Sequence, residues 1–583
     1  MNSTRSTLFI CLLSLAIASP VFGQAWRTPV GWEALNDELG NALANGSGVD
    51  VSQVEAIQTS SGGYLPDPNF IGFLNPDKQF TDLSGVNDIH SSHARTVGRY
   101  FYGNIMSMAS GVTNVYNYEA GDFIVNATGN GSNGEPATQP FTVQNHSWVA
   151  ATGIGIQTAQ NMLLRLDYMI EENNMDVIVG TSNSGATPIL LAPGFNSITV
   201  GKTNGTHGTG LTTFSIPGRI KPEIVGPHTQ TSRSTPMVSG AAAILRDAGA
   251  GTNADNSEAV KALILAGATK TEFAGWSRTS DLPLDTTFGA GELNVYNSYK
   301  MLLAGETDGQ SSPPAVPTGA QGWDFGTIMA GQTMNYSIEL TEPADHLSIV
   351  LTWNLDVEDT NASPTIFIPS PTLPDLDLFF VGNGLSDISN SLIQNIEHIY
   401  VQDVPAGVYS FIVSTDRTAD FGLAWRSALQ NVSNINNLTL VSGVNSSGNI
   451  AGVFNSDDAY YEVLPEAKVA NSTIGSVVEF ETTSPVNMPN AIQFNLESSV
   501  NTPNVEQVIE LFNFNEAEYV VVDTSAGSLT DSTVNANVNG ELIDFVDPTT
   551  GTIRARVTWQ PIGLVLQYPW TVRIDQATFT VSQ

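Results

Sequence analysis

Over residues 24–304, short apolar runs alternate with segments whose apolar positions recur at helical spacing, which predicts a parallel sheet with crossover helices. GVDVSQVEA (48–56) and MDVIVGTSNSG (175–185) predict strands that end in polar turns, and TAQNMLLRLDYMIEENN (158–174) predicts the helix feeding the second strand. In such sheets, ligand and catalytic groups gather just beyond the carboxyl ends of strands, where Glu55 and Asn183 fall. Residues 305–319, GETDGQSSPPAVPTG, predict a linker. No long helical pattern follows. LSIVLTW (347–353), DLDLFFVG (375–382), HIYVQDV (398–404) and GVYSFIVST (407–415) predict short strands between turns, the pattern of a β-sandwich or jelly roll over 320–430. A weaker break over 429–437 precedes a second β-domain, placed at 438–583, with AIQFNLESSV, VEQVIELFNF, IRARVTW and PWTVRIDQATFTV.

Residues 1–23 change the picture, because Arg5, the apolar run 8–18, Pro20 and the small residues near Gly23 predict a cleaved signal peptide. The single cysteine, Cys11, lies within that run, so the mature chain has no thiol and no disulfide. No later segment is apolar enough to span a membrane. An exported product without cysteines points to a secreted, periplasmic or cell-surface bacterial protein. After cleavage, 20 basic residues face 57 acidic ones, a net charge of −37 that repels phosphate backbones and counts against nucleic acid and anionic membranes as partners.

TSRSTPMVSGAAAIL (231–245) places a hydroxyl cluster ahead of very small residues. Small residues let a helix lie close to a sheet, and hydroxyls before a helix are ordinary caps. The same arrangement sets Ser232 at the positive end of a core helix, where the dipole and its own N–H stabilise an oxyanion. A serine nucleophile also needs a base, an orienting acid and oxyanion donors. SHARTVGRYFYG carries His93 before a helix start, with His90 as competitor. Glu55 ends a strand, with Asp50 five residues back as the poorer choice, and GTSNSG offers the Asn183 amide.

With its acid, histidine, asparagine and serine in that order, the chain from about 26 to 304 resembles the subtilase family of subtilisin-like serine peptidases. TSRSTPMVSGAAAIL is similar to the family's serine motif and GRIKPEIVGP to the Lys-Pro-Glu/Asp segment often before it, while SHARTVG and IVGTSNSG with PGFNSITVG match more loosely. The resemblance implies an α/β subtilisin-like catalytic domain followed by two all-β sandwich domains, and hydrolysis of protein or peptide bonds through a Ser232 acyl-enzyme. His93 is then general base, Glu55 orienting acid and Asn183 oxyanion donor, with Ser147, Trp148, Gly180, Thr181 and Ser182 lining the substrate cleft.

The chain departs from the pattern in places. Glu55 stands where the family has aspartate, Gln230 where it has glycine before Thr-Ser, Ser182 where glycine often precedes the asparagine, and Ala94-Arg95 where Gly-Thr is usual. The short stretch between the expected signal cleavage and the first strand predicts that the N-terminal pro-domain of many relatives is missing. Downstream, IVLTWN, LPDLDLFFV, NIEHIYV and PAGVYSFIV resemble the pre-peptidase C-terminal and P-type sandwiches, folds that host many functions. Asp375 and Asp377 are either ligands for a structural calcium or a solvated strand face; no other metal or cofactor is expected. Trp559, Trp570 and Phe579 either stack on sugars or pack a core. The competing reading is a silenced pseudo-peptidase that contacts glycans or a cell surface through its β-domains.

Overall fold

The computed structural model describes residues 26–582 apart from 151–152, 271–272, 314, 362, 364, 467–474, 487, 541 and 564–567. The expected signal segment, 1–23, lies outside the described residues. The N-terminal domain is built on seven parallel strands: β1 (Val51–Glu55), β2 (Gln79–Asp82), β3 (Asn114–Glu119), β4 (Val143–His146), β5 (Asp176–Gly180), β6 (Ile198–Lys202) and β7 (Ile224–Gly226), in the order β2-β3-β1-β4-β5-β6-β7. The longer helices around the sheet are α1 (Trp32–Leu39), α2 (Ser92–Phe101), α3 (Ile156–Glu172), α4 (Thr231–Ala248), α5 (Ser257–Gly267) and α6 (Val295–Ala304).

Both faces of the sheet are covered, as a parallel sheet requires. On one face α3 packs with Val54, Val177 and Val179; on the other the buried helices α4 and α5 pack with Val51, Ile178 and Val200. The small residues of α4 serve this packing: Ser239 to Ala243 are all buried. Gly180 shows how tight the fit is, since a Cβ there would lie 2.7 Å from Thr235 Oγ1 on α4. Three buried ion pairs fasten the frame. Arg246 Nε at the end of α4 meets Asp176 Oδ2 at the start of β5 at 2.6 Å. Glu223, from the Lys-Pro-Glu segment, holds Lys221 at 2.8 Å and Lys261 of α5 at 3.2 Å, and accepts the Thr199 N–H on β6 at 2.8 Å. Burial alone pushes the Glu223 carboxyl up, but the two lysines bring it below its ordinary value.

The first β-domain is a sandwich. One sheet runs Pro317–Thr318, Thr333–Leu340, Gly407–Thr415, Leu376–Gly382, Leu385–Ser389; the other contains Ile396–Val404, Ala344–Trp353 and Ala419–Asn434, with Gln321–Ile328 paired to the last. Trp353, Phe411 and Trp425 fill the space between. The strand Ala419–Asn434 runs on past residue 430 and pairs through Gln430–Asn434 with Val572–Ser582 of the second β-domain, so one strand serves both sandwiches. Trp559, Trp570 and Phe579 lie in the core of that second domain, exposed by 0%, 1% and 0%, which resolves the choice between sugar stacking and packing in favour of packing.

The first sandwich is seated on α5. A Cβ on Gly422 would come within 2.3 Å of the Glu258 carbonyl, Thr352 Oγ1 donates to the same oxygen at 2.7 Å, and Asn354 Nδ2 donates to Glu258 Oε1 at 2.8 Å. Trp323, Val350, Ile396 and Ala424 belong to the same apolar core as α4, α5 and α6. At about 1.5–3 kcal/mol per large apolar side chain removed from cover, a chain ending at residue 304 is expected to melt several degrees below the catalytic domain in the full chain and to associate through the bared face of α5. Scanning calorimetry with sedimentation compares the two. Equal melting and a monomeric fragment would make the joint a passive contact.

Candidate active site

The acid and the imidazole meet because two local structures end at the same place. Residues alternate across a strand, so Gln53 and Glu55 of β1 point to one face, the face on which α2 docks. Helix α2 begins where the Ser91 side chain accepts the backbone N–H groups of His93 and Ala94, both at 3.2 Å, an N-cap that sets His93 in the first turn. Gln58 Oε1 in turn accepts the Ser91 hydroxyl at 2.9 Å. His93 Nδ1 then lies 2.7 Å from Glu55 Oε2; the Glu55 side chain is 2% exposed and that of His93 38%.

Glu55 is fixed from behind. Gln53 Nε2 donates to Glu55 Oε1 at 2.8 Å and to the Ala94 carbonyl at 2.9 Å, while Tyr102 Oη donates to Gln53 Oε1 at 2.6 Å. Both oxygens of the longer glutamate side chain are thereby held. The negative charge of Glu55, then its hydrogen bond, raise the His93 pKa above its ordinary value, against burial and the Arg233 charge, which lower it.

The competing residues stand elsewhere. Asp50 accepts Asn114 Nδ2 at 2.7 Å near the far end of β1, and His90 Nδ1 lies 3.8 Å from Asp67 on an exposed loop.

The serine comes from the start of α4. Its N-cap, Gln230, makes no side-chain cap. The cap is supplied across the cleft, where Asn183 Oδ1 accepts the Thr231 N–H at 2.8 Å and the Thr231 hydroxyl at 3.3 Å. With its oxygen so engaged, the Asn183 amide keeps Nδ2 as a donor, and Asn183 shares its cleft with Ser232 at the N-terminal end of α4. Pro236 withdraws the N–H that would otherwise bond the Ser232 carbonyl.

His93, Ser232, Asn183, Trp148, Ser147 and Thr181 share one cleft of about 140 Å³, with Gly180 and Ser182 on the same wall. Ser232 and His93 both line this cleft, and among the described residues no hydrogen bond joins them. Ser239 of α4 donates to Asn145 Oδ1 at 3.1 Å and Asn145 Nδ2 to Ser147 Oγ at 2.9 Å, tying that wall to the serine helix. The Trp148 indole donates to His146 Nδ1 at 3.2 Å. Burial drives His146 down to about 3, so it stays neutral and can accept that bond.

The departures from the family pattern leave the cleft open. The Ser182 hydroxyl turns away to the carbonyls of Ser184 (2.7 Å) and Ala186 (3.1 Å). Gln230 is exposed, Ala94 is buried on the inner face of α2, and the Arg95 guanidinium lies over the Phe70 ring at 5.3 Å. Gln53, Tyr102, Ser91 and Thr231 were not singled out in the sequence. Only Gln53 left a trace there, a polar residue inside a strand two positions before an acid.

Asp375 and Asp377 flank the start of strand Leu376–Gly382, beside Asp416, whose Oδ1 accepts the Asp375 N–H at 2.9 Å. Burial raises the Asp377 carboxyl, with the Asp375 charge adding to it. Among the described residues, the three carboxylates whose oxygens converge within 4.8 Å are instead Glu306, Asp308 and Asp324. No described helix is long and apolar enough to cross a membrane.

Residues 89–291 match the model of the subtilase family, peptidase S8. The N-terminal domain is a subtilase domain. The matched span holds His93, Asn183 and Ser232 but begins after Glu55, whose place rests on the strand geometry. No curated protein matches the chain. Among solved structures, a psychrophilic protease is 14% identical over 43% of this chain and 92% of its own, at a TM-score of 0.30. A family 29 carbohydrate-binding module is 15% identical over 26% of this chain and 89% of its own, at 0.15. A tandem carbohydrate-binding domain from Paenibacillus barcinonensis is 11% identical over 44% and 85%, at 0.16. Scores this low carry no argument about the β-domains.

The Glu55 contact is testable without a substrate. Because it raises His93 above the ordinary 6.5, it contributes to fold stability in full below that pH and loses its contribution as pH rises through the folded value. Glu55→Gln is therefore expected to lower the His93 pKa, read from its imidazole proton resonances. An unchanged titration would place the acid elsewhere.

Proposed function

We propose that this subtilase is an exported serine endopeptidase. The observation that carries the proposal is the 2.7 Å contact of buried Glu55 with His93 at the mouth of the cleft that also holds Ser232 and Asn183. In this reading, Glu55 keeps the proton on Nδ1 of His93, leaving Nε2 free as base. As Ser232 Oγ attacks the scissile carbonyl carbon, Nε2 takes the hydroxyl proton and the carbonyl oxygen becomes an oxyanion, met by the Ser232 N–H and Asn183 Nδ2. Collapse breaks the C–N bond, with His93 returning the proton to the leaving amine. Water then attacks the acyl-enzyme by the same route, releasing the acid and restoring Ser232. The imidazolium formed in each half is stabilised by the Glu55 carboxylate.

Export is part of the proposal, supported by the leader-like residues 1–23 and by the absence of any cysteine after Cys11. A net charge of −36 favours solubility and disfavours polyanionic partners. The reading as a silent glycan binder loses its proposed stacking residues, since Trp559, Trp570 and Phe579 are buried.

Hydrolysis of an internally quenched peptide by the purified chain tests the proposal. Ser232→Ala should fall to background, and Asn183→Ala should lose about 10²–10³-fold in kcat with KM little changed. Glu55→Gln should lose on the order of 10⁴-fold, roughly 5–6 kcal/mol of transition-state stabilisation, Glu55→Asp should keep appreciable activity, and Asp50→Asn should be nearly silent. Undiminished hydrolysis by Ser232→Ala would refute the assignment.

A further inference from the structure

Away from the cleft, a cavity of about 630 Å³ opens between the subtilase domain and the first sandwich. The subtilase domain contributes Lys270, Trp276 and Arg278; the sandwich contributes Tyr400 and Gln402 of strand Ile396–Val404, with Asp387. The unusual residue is Lys270. It is 7% exposed, its ammonium donates to the Ala268 carbonyl at 3.1 Å, and among the described residues no carboxylate lies within ion-pair distance. Nζ instead faces two rings, 4.6 Å from the Tyr400 centroid and 5.2 Å from that of Trp276.

The surroundings add positive charge. Arg426 is 3% exposed, with Nη1 3.2 Å from His346 Nε2 and Nη2 buried without a partner. Burial, then the Arg426 charge, lower Lys270 to about 7. His346 and His398 are held neutral by burial first and by these cations second. Arg278 is paired with Asp387, but its Nε is buried and unpartnered. A buried cation without a counter-charge among the described residues is costly, and in a chain with 57 acids and 21 bases carboxylates are plentiful. Local violations of this kind mark functional sites.

We propose that this cavity binds a small oxyanion, the carboxylate, phosphate or sulfate group of a ligand, with Lys270 as its counter-charge. The volume is that of a small-molecule site and exceeds a bare ion, so the Trp276 and Tyr400 rings bound the remainder of the ligand and Ser277, Thr279 and Gln402 offer it polar contacts. Because both domains build the walls, the ligand also favours their union. The inference is independent of the peptidase reading.

Calorimetric titration of the full chain at constant ionic strength, with inorganic phosphate, sulfate and glucuronate in separate arms and glucose as the uncharged control, tests it. At least one oxyanion is expected to bind saturably and glucose not, the responding arm naming the group. Lys270→Met should weaken that binding at least about tenfold, and Lys270→Arg and Ser232→Ala should retain it. Should Lys270→Met fail to fold, hydrogen exchange on the wild-type chain gives the readout, protection on adding the oxyanion being expected in peptides covering 273–280 and 396–404. No saturable binding by about 10 mM, binding unchanged in Lys270→Met, or protection confined to other segments would overturn the proposal.

Discussion

The candidate active site depends on one contact, the hydrogen bond between the Glu55 carboxylate and His93 Nδ1 at 2.7 Å. It joins the end of β1 to the first turn of α2 and decides which imidazole nitrogen carries the proton. A carboxylate with 2% of its side chain exposed has little water to bond, so its oxygens need partners within the protein. Here one oxygen takes the imidazole and the other takes Gln53, itself held by Tyr102 and the Ala94 carbonyl. The histidine's position thus follows from strand alternation, a helix cap and a buried amide, each a property of the local chain.

The serine side is built by a complementary constraint. A helix whose start is capped by a residue 48 positions away, Asn183, draws that residue to the head of α4 as a by-product of satisfying its own N-terminus. The small residues that follow let α4 lie against the sheet, and buried Arg246 and Asp176 fix its far end. The first sandwich carries the same logic outward, because α5 shares its core with Val350, Ile396 and Ala424.

Features governed by local chemistry were legible in the sequence. The α/β domain and the two β-rich regions follow from periodicity, and the serine helix from its run of small residues. Glu55 was legible as a strand-end acid, but nothing in a run of letters says that Gln53 and Tyr102 would brace it, since that requires knowing which helix covers the strand. The joint at Gly422 and Glu258 brings together residues 164 positions apart, beyond any periodic signal. The weak break read at 429–437 overlaps the strand Ala419–Asn434, because Asn and Ser, which signal turns, are tolerated where a strand gains a partner in the next sheet. Trp559, Trp570 and Phe579 were ambiguous because an aromatic residue on a strand reads alike whether its face meets a core or a sugar.

The most direct measurement of the central claim is labelling of the purified chain with a fluorophosphonate, with the adduct located by peptide mass spectrometry. The account predicts a single adduct on Ser232, formed at a rate that falls as His93 becomes protonated and that drops sharply in Glu55→Gln. No adduct on a folded chain, or an adduct on another serine such as Ser147, would contradict it.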